Sequence, residues 1–152
     1  MGSLTAAGSK LAISVAAPAT QDAAGYAALA FVEIGEIEKI GAIGATVNKV
    51  EFQPLNGPKQ KHKGAPDYGS LQPSMAVDDE DAGQAILRTA AEPDYKAKCS
   101  WRVTLPDGAI RYFQGRVFGY PETVDGADSI IMANPTVEID TKVVKVPAPV
   151  TP

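Results

Sequence analysis

The sequence has few of the residues that most catalytic and metal sites require. Among 152 residues there is one cysteine, Cys99, and one histidine, His62. A single cysteine excludes an internal disulfide, and this pair is too small a set of ligands for a closed zinc site. His62 stands between Lys61 and Lys63, without a neighbour in sequence that orients it as a general base. We therefore expect no catalytic residue, no metal, no cofactor, and a protein that is not an enzyme.

The glycine and acidic motifs of common ligand sites are also missing. Gly35, Gly41 and Gly44 form neither a dinucleotide fingerprint nor a phosphate loop. The acidic run at residues 78–81 lacks an oxygen ligand at the fifth position of a calcium loop, where Ala82 stands. We interpret this run as a helix N-terminus, where acidic side chains are favourable.

Long apolar runs and an excess of positive charge are absent as well. No segment is long and apolar enough to span a membrane. The net charge is −4, whereas domains that grip nucleic-acid phosphates are usually basic. We expect no membrane association and no specific binding of nucleic acid.

Glycine and proline are abundant, with 14 and 12 copies, which suits short strands joined by turns. The clearest pattern is a hairpin at residues 96–118, which contains the single tryptophan. Its first arm has apolar residues at alternate positions: Ala97, Cys99, Trp101, Val103 and Leu105. Pro106, Asp107 and Gly108 allow the chain to reverse, and Gly115 in the return arm is a candidate bulge. We take this hairpin as the centre of a β-rich core.

The rest of the chain alternates between short strand patterns and turns. We predict strands at residues 10–15, 46–52, 71–77 and 131–139, with Pro135 placing the last at an edge or a bulge. Leu11, Ile13 and Val15 form the apolar side of the first strand. A short helical turn is predicted near residues 20–24. Residues 31–40 fit either a helix or a bulged extended segment, and their β-branched residues favour the extended form.

One helix is predicted from the acidic run to about Ala91, before Pro93. Its apolar face consists of Ala82, Ala85, Ile86, Thr89 and Ala90. The predicted fold class is therefore mainly β, a β-sandwich or barrel with one flanking α-helix.

The domain boundaries follow from composition. Residues 1–9 are small and polar and are predicted to form a flexible N-terminal arm, followed by a single domain at residues 10–146. Residues 147–152 are proline-rich and predicted to be disordered. Residues 53–69 form a long polar loop, which is either functional or a solvated insertion.

The ordered string of short motifs resembles the major tail tube proteins of long-tailed, non-contractile bacteriophages (siphoviruses). The resemblance covers nearly the whole chain and rests on order and spacing rather than on one motif. Its parts are GSKLAI (8–13), FVEIGEI (31–37), IG (40–41), VNKVEF (47–52), KGAPDYG (63–69), DDEDAGQ (78–84), DG (107–108), FQG (113–115) and DS (128–129).

The resemblance implies a structural virion protein of the tail-tube and type VI secretion ring-protein fold. Subunits are expected to self-assemble into hexameric rings that stack into a DNA-conducting tube for DNA ejection. Implied partners are other copies of the chain, the tape-measure protein, and the tail tip and tail terminator proteins, while DNA passes through the lumen without specific binding. The implied location is the virion tail, assembled in the host cytoplasm.

The resemblance also implies where subunits touch. The loop 53–69 corresponds to the segment that contacts the adjacent ring, and the N-terminal arm is expected to contact neighbours. The candidate inter-ring residues are Lys59, Lys61, His62, Lys63, Asp67 and Tyr68, and the candidate arm contacts are Leu4 and Lys10.

Two other interpretations remain open. The chain could be a small β-sandwich binding or decoration module of a tail or baseplate, which would stay monomeric. It could also be a ring protein of type VI secretion, a structural relative of the tube proteins.

Overall fold

A computed structural model describes residues 3–148 of the chain. Residues 1–2 of the predicted arm and residues 149–152 of the predicted tail lie outside the described residues. The elements are β1 (Lys10–Ser14), α1 (Ala23–Ala27), β2 (Val32–Ile34), β3 (Ile37–Lys39), β4 (Thr46–Phe52), β5 (Gln60–Asp67), β6 (Ser70–Leu71), β7 (Ser74–Ala76), α2 (Ala82–Ala90), β8 (Cys99–Thr104), β9 (Ile110–Gly119), β10 (Glu122–Thr123), β11 (Met132–Ala133), β12 (Thr136–Ile139) and β13 (Val144–Val146). The fold is mainly β, as predicted. Neither helix of the described chain is long and apolar enough to cross a membrane.

The strands form two antiparallel sheets and a separate hairpin. The large sheet has the order β2-β1-β8-β9-β12-β6, and β13 also pairs with β9. The small sheet has the order β10-β11-β7-β3, and β4 pairs only with β5. The predicted hairpin lies at the centre of the large sheet, with Trp101 opposite Phe113. Residues 31–40 are extended, since they hold β2 and β3.

The main core lies between the inner face of the large sheet, the small sheet and α2. The large sheet contributes Trp101 and Phe113, whose rings stack at 6.5 Å between centroids. Met75 and Ala133 come from the small sheet and Leu87 from α2, and all three are completely buried. Burial of such a continuous apolar cluster is the main force that holds the two sheets together.

The outer face of the large sheet is covered too, which the alternating pattern of β1 and β8 does not predict. The ring of Tyr26 from α1 stacks on that of Tyr112 at 5.1 Å, and Phe31 lies 5.8 Å from Tyr112. Ser14 and Ser100, polar residues that alternate with the apolar positions of β1 and β8, are therefore buried. Conversely, Val15 and Ala97 were expected in the apolar sets of their strands, but both are exposed because β1 ends at Ser14 and β8 begins at Cys99.

The face of α2 that was predicted to be apolar is not the face that is buried. The buried residues of α2 are Gly83, Gln84, Leu87 and Ala90, whereas Ala85 is exposed. A polar residue was not expected to face the core. Gln84 is nevertheless fully buried, because its side chain donates to the carbonyls of Gly35 and Ala76 at 3.0 and 2.8 Å and accepts from the amide of Asp78. A satisfied amide can be buried at little net cost.

Two predicted strands are each divided between the two sheets. Residues 71–77 give β6 in the large sheet and β7 in the small sheet. Residues 131–139 give β11 and β12, with Pro135 in the crossing between sheets rather than inside an edge strand or a bulge. Proline has no amide hydrogen to donate to a ladder, so it suits a point where pairing stops.

The bulge predicted at Gly115 is also wrong. The register of β8 with β9 runs without a break through the pair Cys99 and Gly115. The irregularity falls instead between Thr136 and Val137, where β12 pairs with β9. Gly115 fills a different need, since a Cβ atom there would lie 2.6 Å from the carbonyl oxygen of Glu138.

Candidate assembly interface

Nearly half of the segment 53–69, predicted as a long structureless loop, is a strand. Residues 60–67 form β5, which pairs antiparallel with β4, so that only residues 53–59 make a turn. The prediction was wrong because a strand with no core-forming residues lacks the apolar signal that identifies strands in sequence. We call the unit from Thr46 to Asp67 the assembly hairpin.

The assembly hairpin projects from the body of the protein. Every residue of β4 is exposed, and so is every residue of β5 except the half-buried Gly64. Its strands pair with each other and with no other strand of the described chain. A two-stranded ribbon with both faces in water gains little from burial and is stable mainly through its attachment to a folded body.

One face of the assembly hairpin is apolar. Val50 and Phe52 lie on the same side of β4, with His62 and Gln60 opposite them in β5. Both apolar side chains are more than half exposed, and Leu55 at the turn is fully exposed. The turn is ordered by the Gln53 amide, whose Nε2 donates to the carbonyls of Pro54 and Gly57, both at 3.0 Å. Contiguous exposed apolar residues are typical of interaction surfaces.

The opposite face carries charge. The carboxylate of Glu51 forms ion pairs with Lys49 at 2.9 Å and with Lys59 at 3.0 Å. The hydrogen bonds from these two lysines lower the pKa of the Glu51 carboxyl. Lys61 and Lys63 have no ion-pair partner in the part of the chain that the structure describes. The assembly hairpin contains four lysines and two acidic residues, Glu51 and Asp67. Its net charge is therefore +2, whereas the net charge of the whole chain is −4.

The candidate inter-ring residues therefore divide into two groups. Lys59, Lys61, His62 and Lys63 lie together on the projecting part of the assembly hairpin. Asp67 and Tyr68 lie at its base instead, where Asp67 accepts from the amide of Gly69 at 3.0 Å. Tyr68 is half-buried against the main core.

One candidate arm residue lies before the first strand and the other lies in it. Leu4 is exposed and precedes the first strand. Lys10 is the first residue of β1, and its Nζ lies 3.9 Å from a carboxylate oxygen of Glu33. Residues 6–9 form one wall of a groove of about 1090 Å³, whose other wall includes residues 37–43 beside the base of the assembly hairpin.

The apolar residues of the assembly hairpin were missed as candidate contacts. The sequence pattern predicts a strand at residues 46–52 with Val50 and Phe52 on one face. The available signal was the composition of the next segment, since residues 53–67 supply no apolar partner face that would complete a core.

Among residues 3–148, neither the single cysteine nor a cluster of metal-ligating side chains forms a reactive site. Cys99 is completely buried, with its Sγ 3.9 Å from the hydroxyl of Tyr95, and burial raises the pKa of the thiol. A buried thiol of raised pKa is a poor nucleophile. Residues 3–148 contain no cluster of three or more histidine, cysteine or acidic side chains that could hold a metal ion.

No protein-family model matches the sequence, and no curated protein matches it either. Solved structures do share its fold. A chain in the cryo-EM structure of an extracellular contractile injection system, the PVC sheath/tube terminator in the extended state, matches with a TM-score of 0.73 at 8% identity, over 97% of this chain and 99% of that one. A chain in the 6-fold symmetrised cryo-EM structure of the anti-feeding prophage (AFP) baseplate also gives 0.73, at 7% identity, over 99% and 100%.

A third match is a chain in the PVC sheath-tube complex in the extended state. Its TM-score is 0.59 at 11% identity, over 90% of this chain and 88% of that one. The chain therefore has a fold that occurs in phage-tail-like injection assemblies, along nearly its full length.

Proposed function

We propose that this chain is a structural subunit of a phage-tail-like tube, namely the major tail tube protein of a long-tailed bacteriophage. In this proposal it forms hexameric rings that stack into the DNA-conducting tube of the virion tail, after assembly in the host cytoplasm. It contacts other copies of itself, the tape-measure protein, and the tail tip and terminator proteins. It performs no catalysis.

The single observation that carries the proposal is the projecting assembly hairpin. It exposes Val50, Phe52 and Leu55 to water at no benefit to the isolated subunit. Burial of one such side chain at an interface contributes about 1.5–3 kcal/mol. The full-length likeness in fold to chains of a contractile injection system and of the AFP baseplate supports the same conclusion by analogy of fold.

The test is the mass of the purified protein by light scattering across a concentration series, with and without tail-tip complexes as nuclei. Replacing Val50 and Phe52 by serine should weaken self-association at least about tenfold, the equivalent of 1.4 kcal/mol. The matched control is Val15→Ser, because Val15 is as exposed as Phe52, at 57%, but lies outside the assembly hairpin. Equal self-association of both variants would contradict the proposal.

A second candidate is a tail or baseplate module at an end of the tube. It is favoured by the higher TM-scores of the chains from the terminator and baseplate structures, compared with the sheath-tube complex. Such a module would form at most a single ring or bind as a monomer. Extended polymers in the same light-scattering series would exclude it.

A further inference from the structure

A second exposed surface lies at residues 118–131, which begin at the last two residues of β9. All of residues 121–130 are exposed. The large apolar side chains there are Phe118, which is 68% exposed, Val124, Ile130 and Ile131. A folded monomer gains nothing from keeping four such side chains in water, so this surface is a candidate for a contact.

The charges of this surface are of one sign. Residues 118–131 contain Glu122, Asp125 and Asp128 and no lysine or arginine. None of the three acids forms an ion pair within residues 3–148. The segment therefore combines exposed apolar side chains with a charge of −3.

These properties complement those of the assembly hairpin. The hairpin combines Val50, Phe52 and Leu55 with a charge of +2, including the unpaired Lys61 and Lys63. Opposite charges around apolar centres favour association and fix its orientation. The match joins two surfaces of the same sequence, so the natural partner is a second copy of the chain.

The topology connects the two surfaces to opposite edges of the small sheet. The order β10-β11-β7-β3 puts β10, inside residues 118–131, at one edge and β3 at the other. The assembly hairpin follows β3 in the chain, after only residues 40–45. A contact between two unlike surfaces of the same chain repeats from copy to copy, giving a closed ring or an extended stack.

We propose that residues 118–131 are the surface that receives the assembly hairpin of a second copy. Val50 and Phe52 on one face of the hairpin pack on the apolar residues of this segment, while Lys61 and Lys63 on the opposite face pair with Asp125 and Asp128, so that the segment holds the projecting ribbon on both faces. This inference rests on the proposed self-assembly and names the surface that it uses.

Reciprocal charge reversal tests the pairing. The double variants Lys61→Glu/Lys63→Glu and Asp125→Lys/Asp128→Lys should each weaken self-association at least about tenfold, because each places like charges in contact. A chain that carries all four substitutions should recover self-association to within about threefold of the natural sequence, since the pairs are restored with reversed sign. The matched control is Glu92→Lys/Asp94→Lys, which reverses two exposed acids elsewhere and should leave self-association unchanged.

Cross-linking gives a second readout that does not depend on charge. A mixture of Leu55→Cys and Val124→Cys chains should form heterodimers with a short bis-maleimide, while Leu55→Cys with Val15→Cys should not. The natural Cys99 is buried and does not compete. If the natural chain assembles but the four-substitution chain is not rescued and no cross-link forms, the inference is overturned while the proposed function stands. If the natural chain stays monomeric at every concentration and with tail-tip complexes, both are overturned.

Discussion

At the scale of single residues, glycine and glutamine decide how closely the layers approach. Gly83 brings α2 against β2, since a Cβ there would lie 2.3 Å from the carbonyl oxygen of Glu33. Gln84 then ties the helix to both sheets, through the carbonyl of Gly35, which follows β2, and that of Ala76 in β7. The position of α2 therefore depends on a glycine, which has no side chain, and on a glutamine whose buried amide is fully hydrogen-bonded. A pattern of apolar residues in the sequence reveals neither.

Gly115 allows a test of such close packing. Replacement by alanine should destabilise the protein by about 1–3 kcal/mol, because the added methyl group meets the backbone of Glu138, which cannot move without disturbing β12. Trp101 also donates to the carbonyl of residue 115 at 3.2 Å, so a shift there disturbs the core. Gly126→Ala is the control, since nothing lies within 4 Å of a Cβ at that position. Urea unfolding measures both, and equal midpoints would contradict the account.

The buried thiol of Cys99 and the buried hydroxyl of Tyr26 predict a loss of stability at alkaline pH. Burial raises the pKa of the Cys99 thiol above 9.0 and that of the Tyr26 hydroxyl above 10.0. The unfolded chain releases these protons at the ordinary pKa values, while the folded chain retains them. Stability from these groups is therefore complete below about pH 9 and falls as pH rises through the folded pKa values.

Urea unfolding at a series of pH values from 7 upwards measures this effect. The free energy of unfolding should be level near neutrality and fall above pH 9. In a Cys99→Ala variant the fall should begin at higher pH, because only the tyrosine hydroxyls remain. A free energy of unfolding that stays constant or rises over the alkaline range would contradict this explanation.

At the scale of elements, the chain divides into strands that complete a core and one hairpin that does not. The strands of the predicted central hairpin were identifiable in sequence because alternating apolar residues reveal a face that is buried. The acidic run at residues 78–81 was identifiable as the start of α2 too, and the carboxylate of its last residue, Asp81, accepts from the amide of Gln84 at 2.9 Å. Local signals of this kind depend only on neighbouring residues.

Two kinds of feature could not be predicted from the sequence. The division of residues 71–77 and 131–139 between two sheets depends on partners far away in the chain. The strand β5 depends on β4 alone, and its polar composition matches that of a loop. The candidate residues Lys59, Lys61, His62 and Lys63 were identified by resemblance, whereas the exposure of Val50, Phe52 and Leu55 required the structure.

The independence of the assembly hairpin can be tested by excision. Replacing residues 47–66 with Asn-Gly joins Thr46 to Asp67, which already face each other across the ladder. Asn-Gly favours the tight turn that a two-residue hairpin needs. The free energy of unfolding should change by less than about 1 kcal/mol, in the range of surface substitutions, because no side chain of β4 or β5 is buried.

Truncation after Lys142 provides the contrast. It removes β13, which pairs with β9 in the large sheet, and should lower the unfolding temperature clearly. Thermal unfolding followed by circular dichroism compares the two variants. Loss of folding on excision of the assembly hairpin would show that this segment belongs to the core.

At the scale of the whole molecule, charge is distributed unevenly. The assembly hairpin carries +2 within a total of −4, so the remainder carries −6. Under the proposed function, such an acidic remainder suits a bore through which DNA passes without being held, because acids repel phosphates. The same distribution favours contacts between unlike surfaces of neighbouring copies over contacts between like ones.

The most direct measurement is electron microscopy of the purified full chain across a concentration series, with tail-tip complexes added as nuclei. We expect rings or tubes with a central hole, with the assembly hairpin of each copy seated on a neighbour and with acidic side chains outnumbering lysine and arginine along the bore. A protein that remains monomeric under all these conditions, or a bore lined mainly by lysine and arginine, would contradict the account.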